Sequence, residues 1–402
     1  MRFKLESSEN YIFVGLLWLL FIVGAYGLVK TPAKTSVSEN RTLTQFQHFT
    51  LNSFLDGSFQ SNFENALSDQ FFRSEKIRAA YGEIVSDLPT YGVDRLVCEN
   101  RYILLDSRSY TNTIFNCDDF IVPPPMTEDP RQKNLLSSNV FDDNIAKYNH
   151  INSLVDTYYY FVEEPQSFDF TTGERVLDIE KALQENLQGP YNMSSLQFDS
   201  YDEMKKYYYK TDHHWNQLGQ YQGYKDIVEL LGVGAPDTPA ESVTNHEVYY
   251  GSQARDSRYL KIKEEFVYYR FNLPEHDTFV DRKPQEYGHQ DDYTKHSYQS
   301  SKLFNHYGYV FGGDYAEVVF DYHQLDKNNL LVISNSFDNP IVSIIAQHFN
   351  KTYAVDLRHY ENNLNEKFVL SEYIKKNEIN KVLLLIQPEF VFNEKSNQGL
   401  EL

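Results

Sequence analysis

Cysteine is nearly absent: Cys98 and Cys117 are the only two in 402 residues. That excludes a disulfide-dense scaffold and any multi-cysteine metal site. A single bridge on an oxidising side of a membrane fits the pair, and so do two unpaired core thiols. Basic charge is also scarce. Lys and Arg number 37 against 57 Asp and Glu, giving a net charge of −20. A surface of that sign does not suit a nucleic-acid backbone or an anionic lipid face, so no nucleic-acid partner is expected. Internal repeats and low-complexity tracts are missing. Long hydrophobic runs are missing too, with one exception near the N-terminus.

That exception is residues 11–29, an uncharged run rich in Leu, Ile, Val and Phe. It spans roughly 28 Å as a helix, close to the thickness of a bilayer core. A cleaved signal has a shorter apolar region, and Ala25-Tyr26-Gly27 is only a weak cleavage site. The run reads as a membrane anchor held in the lipid bilayer. Its flanks, Arg2 and Lys4 against Lys30 and Lys34, leave orientation undecided by charge.

What is abundant is aromatic, with 32 Tyr and 28 Phe. Tyrosine combines an apolar ring with a hydroxyl and suits sugar-facing surfaces as well as cores. The pattern divides the chain into residues 1–30, a tail and anchor; 31–135, a stalk and a helical segment; and 136–402, an α/β domain. Within the second part, Phe59, Phe63, Ala66 and Leu67 recur at helical spacing after Asp56-Gly57-Ser58. Within the third, the pattern predicts a helix near 143–154, a strand over 157–162 and a helix over 217–231. A β-rich insertion is expected over about 237–320. Residues 330–334, 353–355 and 381–386 read as buried strands, separated by helices starting at Asn339-Pro340 and near 366–376. That alternation predicts a doubly wound parallel sheet.

Chemistry concentrates in two segments. Asp212-His213-His214-Trp215 places a carboxylate beside two imidazoles. An Asp-x-His pair is two-thirds of a nucleophilic triad. Ser336 follows the 330–334 strand, at the carboxyl edge where open α/β sheets bind ligands. Asp212 would orient His214, and His214 would take the Ser336 proton. Arg358, after the next strand, would bind an anionic sugar or developing charge. The same residue types allow a structural reading, with Asp212 as a helix cap and Asp356–Arg358 as an ion pair. Neighbours on a strand point to opposite faces, so His213 and His214 are not expected to share a metal ion. No metal or other cofactor is expected.

These segments resemble the DHHW family, relatives of alginate O-acetyltransferases within the SGNH hydrolase superfamily. The resemblance rests on residues 210–215 and 331–340, on Val355-Asp356-Leu357-Arg358, and on Glu39-Asn40-Arg41, Asp56-Gly57-Ser58-Phe59 and Asp69-Gln70-Phe71-Phe72-Arg73. It implies an SGNH-like fold and a catalytic Ser336–His214–Asp212 set. Asp-x-His precedes the serine, the reverse of the usual superfamily order. It also implies a single-pass protein of the cell membrane, its domain extracytoplasmic, that moves or removes acyl groups on envelope or exported polysaccharide. A multi-pass membrane acyltransferase is the implied partner. Trp215 would brace the turn or line the acceptor groove. Asn335 stands where relatives carry Asp and is the one clear departure, close enough to substrate to contact it. It also leaves open a glycan-binding scaffold without turnover.

Overall fold

A computed structural model describes residues 13–15, 17–18, 34–36, 41–70, 101–105, 113–126, 136, 138–170, 172–257, 259–290 and 304–400. Most of the 11–29 run lies outside them, and so does Cys98. Residues 13–15 and 17–18 are helical. No helix among the described residues is long and apolar enough to cross a membrane. The amphipathic pattern after Asp56 forms the Ser58–Gln70 helix, preceded by a short Leu51–Leu55 helix. Cys117 is disulfide-bonded.

The domain is organised on one eight-stranded sheet. Its order is Lys283–Pro284, Asp277–Val280, Glu317–Asp321, Lys351–Val355, Leu330–Ile333, Lys381–Ile386, Asp156–Val162 and Asn192–Leu196. The last five in that order run parallel. Glu317–Asp321 pairs antiparallel with Lys351–Val355, and two further antiparallel strands extend that edge. The sheet is therefore mixed, not the wholly parallel one expected from sequence. The apolar pattern of residues 316–320 suits either direction, and only the connection decides it. The Glu241–Tyr249 and Glu264–Arg270 strands form a separate two-stranded sheet.

The parallel strands are apolar on both faces because helices cover both. Leu330–Ile333 is buried throughout, and Lys381–Ile386 from its second residue on. Alternation then sorts their side chains. Tyr158, Tyr160, Leu330, Val332, Leu383 and Leu385 join one core. Tyr159, Phe161, Leu331, Ile333, Leu384 and Ile386 join the other. The Gln217–Leu231 helix packs on the first core through Tyr224, Ile227, Val228 and Leu231. Asn216 caps its start by accepting from Leu218 N–H and Gly219 N–H, and Gly232 ends it in the left-handed region.

Two helix expectations need correction. The helix after the serine is Val342–Ala346 with Ile341 at its cap, and Asn339 does not cap it. The chain is still turning at Asp338, whose carbonyl accepts from Ile341 and Val342. Asn339 meanwhile accepts from the Tyr287 hydroxyl at 2.9 Å. The helix expected near 366–376 is Leu370–Lys376, and a further helix that the sequence reading did not place, Leu357–Leu364, precedes it. Asp356 caps this earlier helix by accepting from Arg358 N–H, and Asn365 ends it at φ 53°.

Candidate active site

Parallel strands fix where the serine stands. The Leu330–Ile333 strand lies between two parallel neighbours, and the chain leaves its carboxyl end through the turns at 335–341. Ser334 Oγ donates to the Leu385 carbonyl at 3.1 Å. Asn335 Oδ1 accepts from Phe337 N–H at 3.1 Å, a side-chain turn that folds the backbone sharply after Ser336. Asn335 Nδ2 donates to Gln387 Oε1 at 3.2 Å, and the Gln387 amide donates back to Asn335 Oδ1. Ser336 is left at the apex. Its N–H bonds to no protein group among the described residues.

The base arrives on the other segment. Tyr208 and Trp215 form an isolated antiparallel bridge, and residues 211–214 between them are bends. That geometry overturns the expectation that His213 and His214 face opposite ways. There is no strand to alternate them, and their rings lie 3.8 Å apart. His214 Nε2 lies 2.8 Å from Ser336 Oγ, across 122 positions of sequence. Its Nδ1 lies 2.6 Å from Asp212 Oδ1. Asp212 Oδ1 also accepts from His214 N–H at 3.1 Å, and Oδ2 accepts from Tyr249 O–H and Ser252 N–H, each at 2.7 Å. Four donors saturate the carboxylate.

Burial alone would push the Asp212 carboxyl up, but the adjoining His214 imidazole, its hydrogen bond, His213 and Arg255 together hold it well below the usual carboxylate range. An ionised Asp212 can only accept, so the proton between the two groups belongs to His214 Nδ1. In its neutral form the ring presents the lone pair of Nε2 to the serine hydroxyl. Tyr307 stacks on that ring at 3.9 Å and 10°, and its hydroxyl donates to the Ser336 carbonyl at 2.8 Å. One side chain therefore positions both base and nucleophile.

Gly251 permits this arrangement. A Cβ there would meet Asp212 Cβ at 2.4 Å and the Thr211 carbonyl at 2.5 Å. Gly223 makes a similar allowance for Trp215, whose ring would lie 2.6 Å from an added Cβ. Trp215 is completely buried, donates from Nε1 to the Phe337 carbonyl at 3.2 Å, and has no surface for substrate. The groove-lining role expected for it is withdrawn, and its brace on the serine turn is what the fold uses. Asn335 Oδ1 accepts from Phe337 N–H and from the Gln387 amide, and its Nδ2 donates to Gln387, so the side chain holds the turn. Arg358 reaches the cleft but is bound to Asp356, at 2.6 Å from NH2 and 3.0 Å from Nε.

The cleft has a volume of about 310 Å³ and contains Asp212, His213, His214, Ser336, Arg255 and Glu164 in its wall. Glu164 is pushed up to about 8 by burial and by Glu389. Asp212, His213 and His214 present ligand-type atoms within 4.8 Å of one another. The inward nitrogens are already engaged, His214 by Asp212 and Ser336 and His213 Nδ1 by Ser252 Oγ at 2.6 Å. Sequence reasoning did not find Tyr249, Ser252, Tyr307 or Gln387. Each reaches the site from a distant segment, and no local motif marks it.

The site thus joins a serine at the carboxyl edge of an α/β sheet, through an imidazole, to a buried carboxylate. No family model and no curated protein matches the sequence. Solved structures do share the fold. PatB1 of Bacillus cereus, determined with a sulfonyl adduct, superposes with a TM-score of 0.53 at 21% identity, covering 75% of this chain and 99% of its own. A DHHW family protein of Eubacterium siraeum gives 0.51 at 16% identity, covering 73% and 95%. At these identities the likeness is one of fold, and it agrees with the resemblance to the DHHW family carried by residues 210–215.

Proposed function

We propose that this chain is a carbohydrate O-acyltransferase or esterase working through an acyl-Ser336 intermediate. The observation that supports it is the 2.8 Å contact from His214 Nε2 to Ser336 Oγ with Asp212 on the far ring nitrogen. As His214 Nε2 takes the hydroxyl proton, Ser336 Oγ attacks the acyl carbonyl carbon. The tetrahedral oxyanion collapses, the C–O bond to the donor alcohol breaks, and His214 returns the proton to that leaving oxygen. A sugar hydroxyl, or water in the esterase case, then gives its proton to His214 and attacks the acyl-serine, and Ser336 recovers the proton. The unpartnered Ser336 N–H stands where it can donate to the oxyanion. Acetyl is the favoured acyl group, and envelope or exported polysaccharide the favoured acceptor. A single-pass, extracytoplasmic placement beside a multi-pass membrane acyltransferase belongs to the same proposal. It rests on the 11–29 run and on the DHHW resemblance.

An aryl sulfonyl fluoride tests the reading, scored by intact mass and peptide mapping. Wild type should gain one adduct at Ser336, and Ser336→Ala and His214→Ala should gain none. Equal labelling of wild type and Ser336→Ala would sink it, as would an unlabelled wild type.

A further inference from the structure

Among the described residues two arginines line the cleft, and their surroundings differ. Arg358 is neutralised: Asp356 binds it directly, and Asp314 and Glu389 act on it as further negative charges. Arg255 is only 2% exposed, yet it has no carboxylate within ion-pair reach among the described residues. Its NH1 donates to the carbonyls of Tyr250 and Phe304, at 3.2 and 3.4 Å. Its Nε is buried without a hydrogen-bond partner. Asp212 feels this charge but is already saturated by four donors.

A guanidinium withdrawn from water needs a counter-charge and acceptors for its fork of N–H groups. Backbone carbonyls satisfy one nitrogen and carry no charge, and the Asp212 carboxylate acts on the guanidinium without bonding to it. Asp256, also in the wall and buried, makes no ion pair with Arg255 among the described residues. Glu164 is held largely protonated at neutral pH, and Asp314 and Glu389 act on Arg358. A neutral sugar hydroxyl would offer an acceptor but no charge. A carboxylate or phosphate offers both, with a planar or forked set of oxygens that suits guanidinium.

We propose that Arg255 anchors an anion subsite of this cleft, taking a carboxylate or phosphate group carried by the carbohydrate acceptor. The assignment rests on the acyl-transfer reading for the word acceptor, whereas the binding itself does not require turnover.

Binding is measured by calorimetry on the full chain carrying Ser336→Ala, with glucuronate, glucose 6-phosphate and glucose as probes. At least one anionic sugar should bind more tightly than glucose, and which one does so distinguishes a uronate from a sugar phosphate. Arg255→Gln should weaken that anion by about tenfold or more and leave glucose unchanged, with Arg255→Lys between the two. Retained melting behaviour in Arg255→Lys guards against simple misfolding. The subsite is refuted if glucose binds as well as both anions, or if both arginine variants keep the anion affinity. Failed sulfonyl labelling of Ser336 in wild type, beside intact anion binding, would remove the acyl-transfer reading and leave the subsite.

Discussion

Ser336 and His214 come from halves of the molecule that are held in different ways. The serine half is a product of the sheet. Three parallel strands, Lys351–Val355, Leu330–Ile333 and Lys381–Ile386, fix the end of its strand, and backbone pairing does most of the positioning. The base segment is not itself a strand of the large sheet. Residues 211–214 are bends, tied by side chains from the 241–270 region: Tyr249 and the Ser252 N–H on Asp212, and Glu264 on Lys210 and Thr211. A strand spreads its restraint over many bonds. A bend held by a few polar contacts concentrates it, so single substitutions should damage the base half more than the serine half.

The largest expected effect is Asp212→Asn. An amide can donate to His214 Nδ1 and favour the wrong tautomer, so ester hydrolysis should fall by about 10³–10⁴-fold while the fold survives. Turnover of a 4-nitrophenyl ester and the rate of sulfonyl labelling both report it, and a loss below tenfold would break the assignment of Asp212. Gly251→Ala comes next. A methyl group placed 2.4 Å from Asp212 Cβ must push the bend away from the serine. We predict a loss of about 10²-fold in turnover, with a stability cost of about 1–3 kcal/mol seen in urea unfolding. Unchanged turnover would mean that the bend is more compliant than the contacts suggest.

Tyr249→Phe removes one of four donors to a buried carboxylate and should cost about tenfold in turnover, near 1–1.5 kcal/mol. The matching change on the other half is Asn335→Asp. It restores the residue that DHHW relatives carry and keeps an acceptor for Phe337 N–H, and Gln387 can reorient to donate to it. Turnover within about threefold of wild type is expected there. If Asn335→Asp proves more damaging than Tyr249→Phe, the contrast between the halves is reversed.

This contrast also explains what the sequence made legible. The 330–334, 353–355 and 381–386 runs announce themselves because a parallel strand buried on both faces must be apolar throughout. With those runs, Ser336 falls at a strand end by simple counting. Asp212 and His214 were legible as a spacing. Their supports were not, because Tyr249, Ser252, Glu264 and Tyr307 act through hydrogen bonds to partners 29–54 positions away, with no periodicity to expose them. The same limit produced the errors. Alternation was assumed for a bend at 213–214, and Trp215 was given a surface that two helix glycines let it abandon for the core. Arg255 carried no local signal at all. Only its burial without a carboxylate separates it from Arg358.

The smallest effect bears on the pH response of the two halves. Glu264 accepts from Lys210 N–H, Thr211 N–H and Thr211 Oγ1 at 2.7, 3.2 and 2.9 Å, but burial outweighs those bonds and pushes its carboxyl up to about 7. Its ordinary value is 4.5. Between those two values the folded protein holds a proton that the unfolded chain has released. The stabilisation is therefore complete below about 4.5 and is lost as pH rises through about 7. Glu264→Gln cannot titrate. The melting temperature of wild type minus that of Glu264→Gln, followed from pH 4 to 9, should fall across this window and then level off. A flat or rising difference would show that the network beneath Thr211 holds its carboxylate as readily as water does, and that the base half is tied more firmly than its few polar contacts imply.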